Sequence, residues 1–215
     1  MVHEPEPRYD IAEIFYSIQG EGHWTGRPAV FVRFAGCNLS CEWCDTDHIR
    51  KRVAGLATLV RDIAFVTDTE RCRSVILTGG EPTIQPHLWE LTAELKKQGF
   101  WIAIETNGTY SGKLIPKEID WVTVSPKKPG MYICNELKLV YTGNEKLEEY
   151  IAVKRHGWLH EDVWHDYLEA MYFLQPCFAP DVLHRERNLD ITIQKVKENP
   201  TWHLSVQMHR LVGIQ

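Results

Sequence analysis

The sequence predicts an α/β protein whose core is an incomplete TIM-like barrel of about six parallel strands. Short apolar strands alternate along the chain with segments of helical spacing, and this order is typical of a parallel sheet with helical crossovers. Polar or glycine-rich groups follow several of the predicted strands, at the edge where barrels and open α/β sheets bind their ligands. The chain has 215 residues, whereas a complete eight-unit barrel needs about 250. An incomplete barrel in a single domain, residues 1–215, is therefore expected.

Apolar runs of strand length define the predicted sheet. In chain order, the predicted strands cover residues 9–18, 29–34, 74–77, 101–104, 120–124, 136–140, 171–174 and 202–209. The last of these alternates, with apolar side chains at 202, 204, 206 and 208 and polar ones between them. Helical spacing predicts helices over residues 56–66, 145–153, 161–168 and 188–198. One more helix is marked at both ends, because Pro86 suits a first helical position and Gly99 suits the stop.

Charge and composition exclude several classes of protein. The formal net charge is −5 with no long run of one sign, which argues against a general nucleic-acid binder. No apolar run approaches the roughly 18 residues of a membrane span. The polar, acidic start, residues 1–7, does not resemble a signal peptide. We therefore expect a cytoplasmic protein, in which a cysteine cluster more often binds metal than forms disulfides.

The cysteines of the loop at residues 37–48 have the spacing of a metal site. Cys37, Cys41 and Cys44 follow a C-x3-C-x2-C pattern directly after the second predicted strand. Iron–sulfur clusters usually have four cysteine ligands, so three leave one iron with an open position for a substrate or cofactor. The alternative is a structural zinc site in which His48 is the fourth ligand. The spacing alone leaves both interpretations open.

A glycine pair follows the third predicted strand, in Thr78-Gly-Gly-Glu-Pro82. Glycines at a strand end let the backbone approach a ligand closely, and the exposed carbonyls there can accept hydrogen bonds from an amine. By itself the pair is also compatible with an ordinary turn between a strand and a helix.

Together, these two motifs resemble the radical S-adenosylmethionine superfamily. The resemblance rests on C-x3-C-x-aromatic-C, with Trp43 as the aromatic residue, followed by Gly-Gly-Glu at a strand end. It implies a radical S-adenosylmethionine core with a 4Fe–4S cluster, whose open iron binds the amino acid end of S-adenosylmethionine. One electron then cleaves the sulfonium and yields a 5′-deoxyadenosyl radical, so that the cofactor performs the difficult step.

Further motifs resemble one family within that superfamily, the 7-carboxy-7-deazaguanine synthases. The matching segments are Phe15-Tyr-Ser-Ile-Gln-Gly-Glu-Gly22, the run from Gly26 to Leu39, Cys44-Asp-Thr-Asp47, Thr78 to Pro82, Glu105-Thr-Asn-Gly108 and Val124-Ser-Pro-Lys127. The resemblance implies conversion of 6-carboxy-5,6,7,8-tetrahydropterin to 7-carboxy-7-deazaguanine, with loss of ammonia, on the route to queuosine. It also implies Mg²⁺, a homodimer and an electron donor such as a flavodoxin, and no nucleic-acid or membrane partner is expected.

The resemblance also implies roles for individual residues. Cys37, Cys41 and Cys44 would hold the cluster, and Thr46 would bind Mg²⁺. The residues implied for the S-adenosylmethionine site are Trp43, Asp45, Gly80, Glu105, Asn107, Ser125, Pro126, Lys127 and Gln175. Those implied for the pterin site are Ile18, Gln19, Gly20, Glu21, Arg33, Thr78, Gln207, His209 and the C-terminal Gln215.

The chemistry of these residue types fits a carboxypterin, although each also has a simpler interpretation. Gln19 and Glu21 can pair with the donors and acceptors of the pterin edge, and the Arg33 guanidinium suits a carboxylate. A hydroxyl such as that of Thr46 suits Mg²⁺, which keeps part of its hydration shell. Without the resemblance, residues 45–47 would read as an Asx turn and Arg33 as a member of a surface ion pair.

Two rival functions remain at this point. One is another radical enzyme, such as an activase that abstracts hydrogen from a glycine of a partner protein, and activity on a free pterin would exclude it. The other is a zinc module that binds RNA or protein, and a colourless, zinc-loaded protein would support it. The zinc module leaves residues 78–81 and 125–127 without a role.

Overall fold

The architecture comes from a computed structural model of the chain, which describes residues 6–110, 115–154, 170–179 and 181–214. The helix predicted over residues 161–168 and the C-terminal Gln215 lie outside the described residues. Within the described residues, no helix is long and apolar enough to cross a membrane.

Strands and helices alternate over residues 52–106 and again from residue 171 onwards, and both are numbered in chain order. The strands are β1 (Arg8–Ile18), β2 (Pro28–Phe34), β3 (Arg52–Gly55), β4 (Ser74–Gly79), β5 (Trp101–Thr106), β6 (Trp121–Val124), β7 (Gly130–Cys134), β8 (Glu136–Tyr141), β9 (Tyr150–Lys154), β10 (Met171–Pro176) and β11 (Trp202–Leu204). The α-helices are α1 (Leu56–Thr69), α2 (Leu88–Lys97), α3 (Val182–Glu198) and α4 (Met208–Val212). Short 3-10 turns cover Pro82–Ile84 and Leu147–Glu149.

Nine strands form one sheet in the order β11-β10-β8-β6-β5-β4-β2-β1-β3. All neighbours from β2 to β11 pair in parallel. The β1 and β3 strands extend the β2 side of the sheet with antiparallel pairs. This largely parallel sheet, with α1, α2 and α3 among its connections, confirms the predicted fold class, a partial barrel of about six parallel strands. The β7 and β9 strands pair with each other in a second, two-stranded parallel sheet.

The two faces of the large sheet bury different kinds of side chain, because successive residues of a strand point to opposite sides. One face packs against α1 and α2 and is apolar, with Val32, Leu77 and Ile104 fully buried. The other face carries a smaller apolar cluster that includes Phe31 and Ile76. Two residues farther along β2, β4 and β5, the side chains on this second face are polar: Arg33, Thr78 and Glu105.

Aromatic side chains fill the amino end of this second face. The His23 ring stacks on Trp121 with centroids 5.1 Å apart, and Trp24 meets Trp101 and Trp121 edge-on. The Arg27 guanidinium lies 4.0 Å from the centroid of the Trp101 ring. Since Trp101 and Trp121 begin β5 and β6, the amino ends of these strands are closed by packing.

Two sequence predictions are wrong in the second half of the chain. The helix predicted over residues 145–153 is absent, since Tyr150–Lys154 forms β9 and pairs with the unpredicted β7. The backbone N–H of Ala152 donates to the Tyr172 hydroxyl at 2.9 Å, and this contact fixes the strand from a distant part of the chain. The last predicted strand ends at Leu204 and not at residue 209, because Met208 donates its N–H to the Gly20 carbonyl and begins α4.

Two helix boundaries also differ from the predicted ones. The α2 helix begins at Leu88 and not at Pro86, because His87 adopts a left-handed conformation with φ +61°. The α3 helix begins at Val182, six residues before the predicted start, because the Asp181 carboxylate caps it by accepting a 2.9 Å bond from the His184 N–H. The pattern of apolar residues missed this first turn, whose side chains are exposed.

Candidate active site

A cavity of about 710 Å³ lies at the carboxyl ends of the parallel strands. This volume is within the usual range for substrate and cofactor pockets. The structure brings nearly all of the predicted site residues into its lining: Ile18, Gln19, Gly20, Glu21, Arg33, Cys37, Cys41, Trp43, Cys44, Asp45, Thr46, Thr78, Gly80, Glu105, Asn107, Ser125, Lys127, Gln175, Gln207 and His209. Pro126 is buried and is not part of the lining, and Gln215 lies outside the described residues.

The cysteine loop leaves β2 and returns beside it. The Gly36 N–H donates to the His48 carbonyl at 3.0 Å, which closes the base of the loop. Inside the loop, the Cys44 N–H donates to the Cys41 carbonyl at 3.1 Å, and the Leu39 N–H approaches Cys37 Sγ at 3.4 Å. The three thiols therefore border one cavity. Each cysteine of a cluster binds a different iron, so their sulfurs need not converge on one point.

The site fits a cluster with a bound cofactor at the glycine pair. A Cβ on Gly80 would overlap the Gly36 carbonyl and would lie 3.0 Å from the Cys37 Cβ. The Gly80 N–H also donates to the Phe34 carbonyl at 3.2 Å. Because Gly80 has no side chain, the backbone after β4 packs directly on Gly36 and Cys37. The backbone N–H and C=O groups of the glycine pair therefore lie close to the cluster loop. Within the described residues, no three His, Cys, Asp or Glu side chains are arranged around a single metal ion.

We expect Gly80→Ala to lower the retention of cluster iron by about tenfold or more, as is typical when the support of metal ligands is disturbed. The added methyl group can be accommodated only if the backbone at Gly36 and Cys37 moves. Iron analysis after anaerobic desalting measures the effect. Gly99→Ala is the control: it places a methyl group in open space at a left-handed position (φ +80°), so it strains the backbone after α2 without a clash against the cysteine loop. Equal iron retention in the two variants would contradict the prediction.

A cationic and aromatic group lies next to the cysteines. The Lys127 Nζ donates to Ser125 Oγ at 2.7 Å and lies 4.7 Å from the centroid of the Trp43 ring. Burial lowers the pKa of Lys127, and the Cys41 thiol acts in the opposite direction. Burial also raises the pKa of Cys41 against the effect of the Lys127 ammonium. A partly desolvated cation beside three thiols suits an anionic cluster.

The short helix α4 reaches the cysteine loop through Asp45. The Gln207 Nε2 donates to Asp45 Oδ2 at 2.7 Å, and the Arg210 guanidinium donates to the same oxygen at 2.8 Å. These two hydrogen bonds and the Arg210 charge lower the pKa of Asp45, although burial acts to raise it. Thr46, the residue expected to bind Mg²⁺, is half-buried and donates its hydroxyl to Asp45 Oδ1 at 3.4 Å.

The other side of the cavity holds a buried network of charges. The Lys138 ammonium forms an ion pair with Glu21 Oε2 and lies 3.9 Å from Glu105 Oε1. Gln19 donates to Glu105 Oε1 at 2.7 Å, and Thr78 donates to Glu105 Oε2 at 3.2 Å. Two carboxylates, one side-chain amide and one hydroxyl can thus accept and donate hydrogen bonds at one wall of the cavity.

Comparisons with known proteins agree with this arrangement. The model of the radical SAM superfamily matches residues 31–157. A 7-carboxy-7-deazaguanine synthase from Bacteroides thetaiotaomicron is 39% identical over 213 residues, which are 95% of this chain and 98% of that protein. One from Neisseria meningitidis serogroup B is 39% identical over 214 residues, 97% of this chain and 95% of that protein. The chain belongs to the 7-carboxy-7-deazaguanine synthase family.

A solved structure supports the same fold. The crystal structure of QueE from Escherichia coli matches with a TM-score of 0.64 and 25% identity, covering 94% of this chain and 95% of that one. Membership in the 7-carboxy-7-deazaguanine synthase family confirms the predicted cofactors, a 4Fe–4S cluster, S-adenosylmethionine and Mg²⁺. It therefore decides against the zinc interpretation of the cysteine loop.

Sequence reasoning missed several residues that line the cavity of this family member. The most buried is Lys138, whose signal was a charged residue in the centre of an apolar strand. Arg185 and Arg210 flank Phe178 at another part of the lining, with the Arg210 Cζ 3.8 Å from the ring centroid. Their positions on α3 and α4 depend on helix starts that the sequence pattern did not locate.

A third carboxylate, that of Glu136, lies at the start of β8, two residues before Lys138. Glu136 is 2% exposed, and its Oε2 accepts a 2.9 Å bond from the His23 N–H. Burial raises the pKa of Glu136 to about 7, and Lys138 only partly opposes this effect. Gly22, beside it, has φ +66°, and a side chain there would collide with the Glu136 carboxyl group. The loop after β1 therefore packs against the Glu136 carboxyl group.

The raised pKa of Glu136 predicts a loss of stability with rising pH. Well below the ordinary pKa of 4.5 the carboxyl is protonated in both states, whereas near pH 6 the folded protein holds a proton that the unfolded chain has lost. The free energy of unfolding should therefore fall as pH rises towards about 7, by up to about 3 kcal/mol. Glu136→Gln should remove this component. Urea unfolding of both proteins at pH 5 and pH 8 measures it, and parallel pH curves would contradict the prediction.

Proposed function

We propose that the protein converts 6-carboxy-5,6,7,8-tetrahydropterin to 7-carboxy-7-deazaguanine with loss of ammonia. The observation that carries this proposal is the cavity itself, in which three cysteine thiols and a buried carboxylate–amide network line the same space. When bound, the cluster and S-adenosylmethionine supply hydrogen abstraction at the carbon that bears the carboxylate. The residues of this chain bind and orient the two small molecules and exclude water.

On the cofactor side, we assign the cluster to Cys37, Cys41 and Cys44. The glycine pair would offer backbone carbonyls to the cofactor's amino group, and Ser125 and Lys127 line the same cavity. The residues proposed to contact S-adenosylmethionine are Trp43, Asp45, Gly80, Glu105, Asn107, Ser125, Pro126, Lys127 and Gln175. Pro126 would act through its backbone, since it is buried behind the lining.

On the substrate side, the pterin ring would lie against the loop after β1. Gln19 and Glu21 present an amide and a carboxylate to the ring edge, and His209 lies on α4, just after Gln207. Arg33 would bind the substrate carboxylate. The Arg33 Nε lies 3.7 Å from Glu13 Oε2, and the Arg33 Cζ lies 5.4 Å from the centroid of the Phe15 ring. These contacts already orient the guanidinium. We assign Mg²⁺ to Thr46, and Ile18, Gly20 and Thr78 complete the substrate wall.

The wider assignments remain predictions. We propose that residues 1–215 act as one domain, with the cluster loop at 37–48 and the closing segment at 202–215. A homodimer, a flavodoxin-type electron donor, a cytoplasmic location and a contact of Gln215 with the substrate are likewise proposals.

The test is an anaerobic reaction of the reconstituted protein with reductant, S-adenosylmethionine, Mg²⁺ and 6-carboxytetrahydropterin. We expect the deazapurine product, identified by mass. Formation of 5′-deoxyadenosine with the pterin unchanged would support the superfamily and reject this substrate. Turnover only in the presence of a glycyl-radical enzyme would favour the rival activase.

A further inference from the structure

We propose that Lys138 is a positioning residue of the active site: its ammonium holds the Glu21 and Glu105 carboxylates together so that both can accept hydrogen bonds from the substrate. Glu105 would then face the substrate and not S-adenosylmethionine, since its donors Gln19 and Thr78 belong to the proposed substrate wall. This inference rests on the proposed function, because it assumes that the ligand at this wall is a ring with several N–H donors. It adds to that function a residue that neither the cysteine motif nor the glycine motif includes.

The position of Lys138 is unusual for a lysine. It lies in the middle of β8, between β6 and β10, and its side chain is only 5% exposed. A lysine at this depth is normally retained only when it is paired. Both of its partners come from other parts of the chain, Glu21 from the loop after β1 and Glu105 from β5. The ion pairs therefore join three separate elements at one point.

The two carboxylates lie closer to the open cavity than the ammonium does. The Glu21 and Glu105 side chains are 14% and 24% exposed, against the 5% of Lys138. Without the cation, two carboxylates at this wall would repel each other, and burial would favour protonation of one of them. With it, the ammonium lies between the two carboxylates, whose oxygens keep acceptor capacity for a ligand.

Neutral donors fix the remaining oxygens of the carboxylates. Glu21 Oε1 accepts bonds from Gln207 at 3.0 Å and from Gln175 at 3.3 Å. The Glu105 oxygens accept from Gln19 and Thr78. Each of these donors also lines the cavity, so a shift of either carboxylate would carry several proposed contacts with it. Lys138 therefore acts on the substrate through its partners.

The charges indicate that Lys138 does not transfer protons. Burial lowers the pKa of Lys138, but the Glu105, Glu21 and Glu136 carboxylates raise it by more, and the net shift is upward. The Lys138 charge and hydrogen bond keep the pKa of Glu21 below its ordinary value despite burial. Both groups thus stay charged at neutral pH. A fixed cation between two carboxylates suits orientation of a ligand and does not suit general acid catalysis.

The experiment compares Lys138→Met and Lys138→Arg with wild type. Anaerobic calorimetry on the cluster-free protein measures the dissociation constant of 6-carboxytetrahydropterin, and reconstituted protein provides iron content and S-adenosylmethionine affinity. We expect Lys138→Met to weaken pterin binding at least tenfold, while iron content and S-adenosylmethionine affinity stay within about twofold of wild type. In turnover, KM for the pterin should rise more than kcat falls. A loss of pterin and S-adenosylmethionine binding by the same factor would indicate a merely structural role and overturn the proposal.

Two further variants keep the result interpretable. Lys96→Met removes a lysine that pairs with Asp120 at 2.6 Å outside the cavity, and it should leave pterin binding unchanged. If Lys138→Met does not fold, Lys138→Arg is used in its place. Arginine retains the positive charge but replaces the compact ammonium with a planar guanidinium. Because the charge remains, Lys138→Arg should then lose less than about tenfold in pterin affinity and keep its S-adenosylmethionine affinity. Equal losses of both affinities in Lys138→Arg would overturn the proposal. Reconstituted wild type that forms no deazapurine would reject the proposed function, whereas wild-type pterin affinity in Lys138→Met would reject this inference alone.

Discussion

Replacing Cys41 by alanine should abolish product formation and remove the cluster while leaving the fold intact. The cysteine loop is anchored at its base by the Gly36–His48 backbone bond and inside by the Cys44–Cys41 backbone bond, neither of which needs the Cys41 thiol. Only a thiolate at this position can bind the third iron, and two cysteines cannot hold the cluster. We therefore expect a colourless protein whose product falls below detection.

The measurement combines iron content, the visible absorption of the cluster and product formation under anaerobic conditions. The free energy of unfolding of the cluster-free variant should lie within about 1 kcal/mol of the cluster-free wild type, as for other changes outside the core. Cys72→Ala is the matched control. Cys72 is buried just before β4, at the amino end of the sheet, and its loss should leave iron content and product unchanged. A coloured, active Cys41→Ala protein would reject the assignment of the loop.

The location of the site could be predicted from sequence because it follows from strand direction. Polar groups at the ends of predicted parallel strands must meet at one edge of the sheet. The structure shows Arg33, Thr78 and Glu105 there, on a face that is apolar two residues earlier in each strand. Successive side chains of a strand point to opposite faces of the sheet, and this alternation gives most of the information about which residues line the cavity.

What the sequence could not provide depends on contacts between distant segments. Gln207 and His209 line the cavity, yet the strand that was predicted to carry them ends at Leu204. Apolar and polar residues do alternate over residues 202–209, but the Met208 N–H donates to the Gly20 carbonyl, and α4 begins there. Lys138 was missed for a similar reason, since its partners lie 117 and 33 residues away, at Glu21 and Glu105. Spacing along one strand cannot show such pairs.

The acidic residue of the Gly-Gly-Glu motif also has a role that only the structure shows. Glu81 is fully buried and accepts four hydrogen bonds through its carboxylate. Two come from the N–H and hydroxyl of Thr83, and the others come from the Thr106 hydroxyl and the Asn107 N–H, both at 2.7 Å. Glu81 thus ties the end of β4 to the end of β5.

We expect Glu81→Gln to lower the free energy of unfolding by about 2–4 kcal/mol. Every partner of the carboxylate is a donor, so the amide NH₂ of glutamine must face a donor in either orientation and leaves it unsatisfied. Urea unfolding of the cluster-free protein, with the slope compared between variants, measures the change. Glu145→Gln is the matched control, since Glu145 accepts the N–H and hydroxyl of Thr142 in a local turn outside the cavity. It should cost about 1 kcal/mol or less.

The same substitution should weaken cluster retention, because the Glu81 network continues to the cysteine loop. Asn107 donates through Nδ2 to Asn38 Oδ1 at 3.0 Å and lies 3.9 Å from Cys37 Sγ. Since Glu81 holds the Asn107 backbone, loss of its charge should release this contact and lower iron retention by about tenfold. Iron loss at unchanged stability would separate the two effects and assign Glu81 to the metal site alone. Reduced stability with full iron retention would show that the tie between β4 and β5 does not reach the cluster.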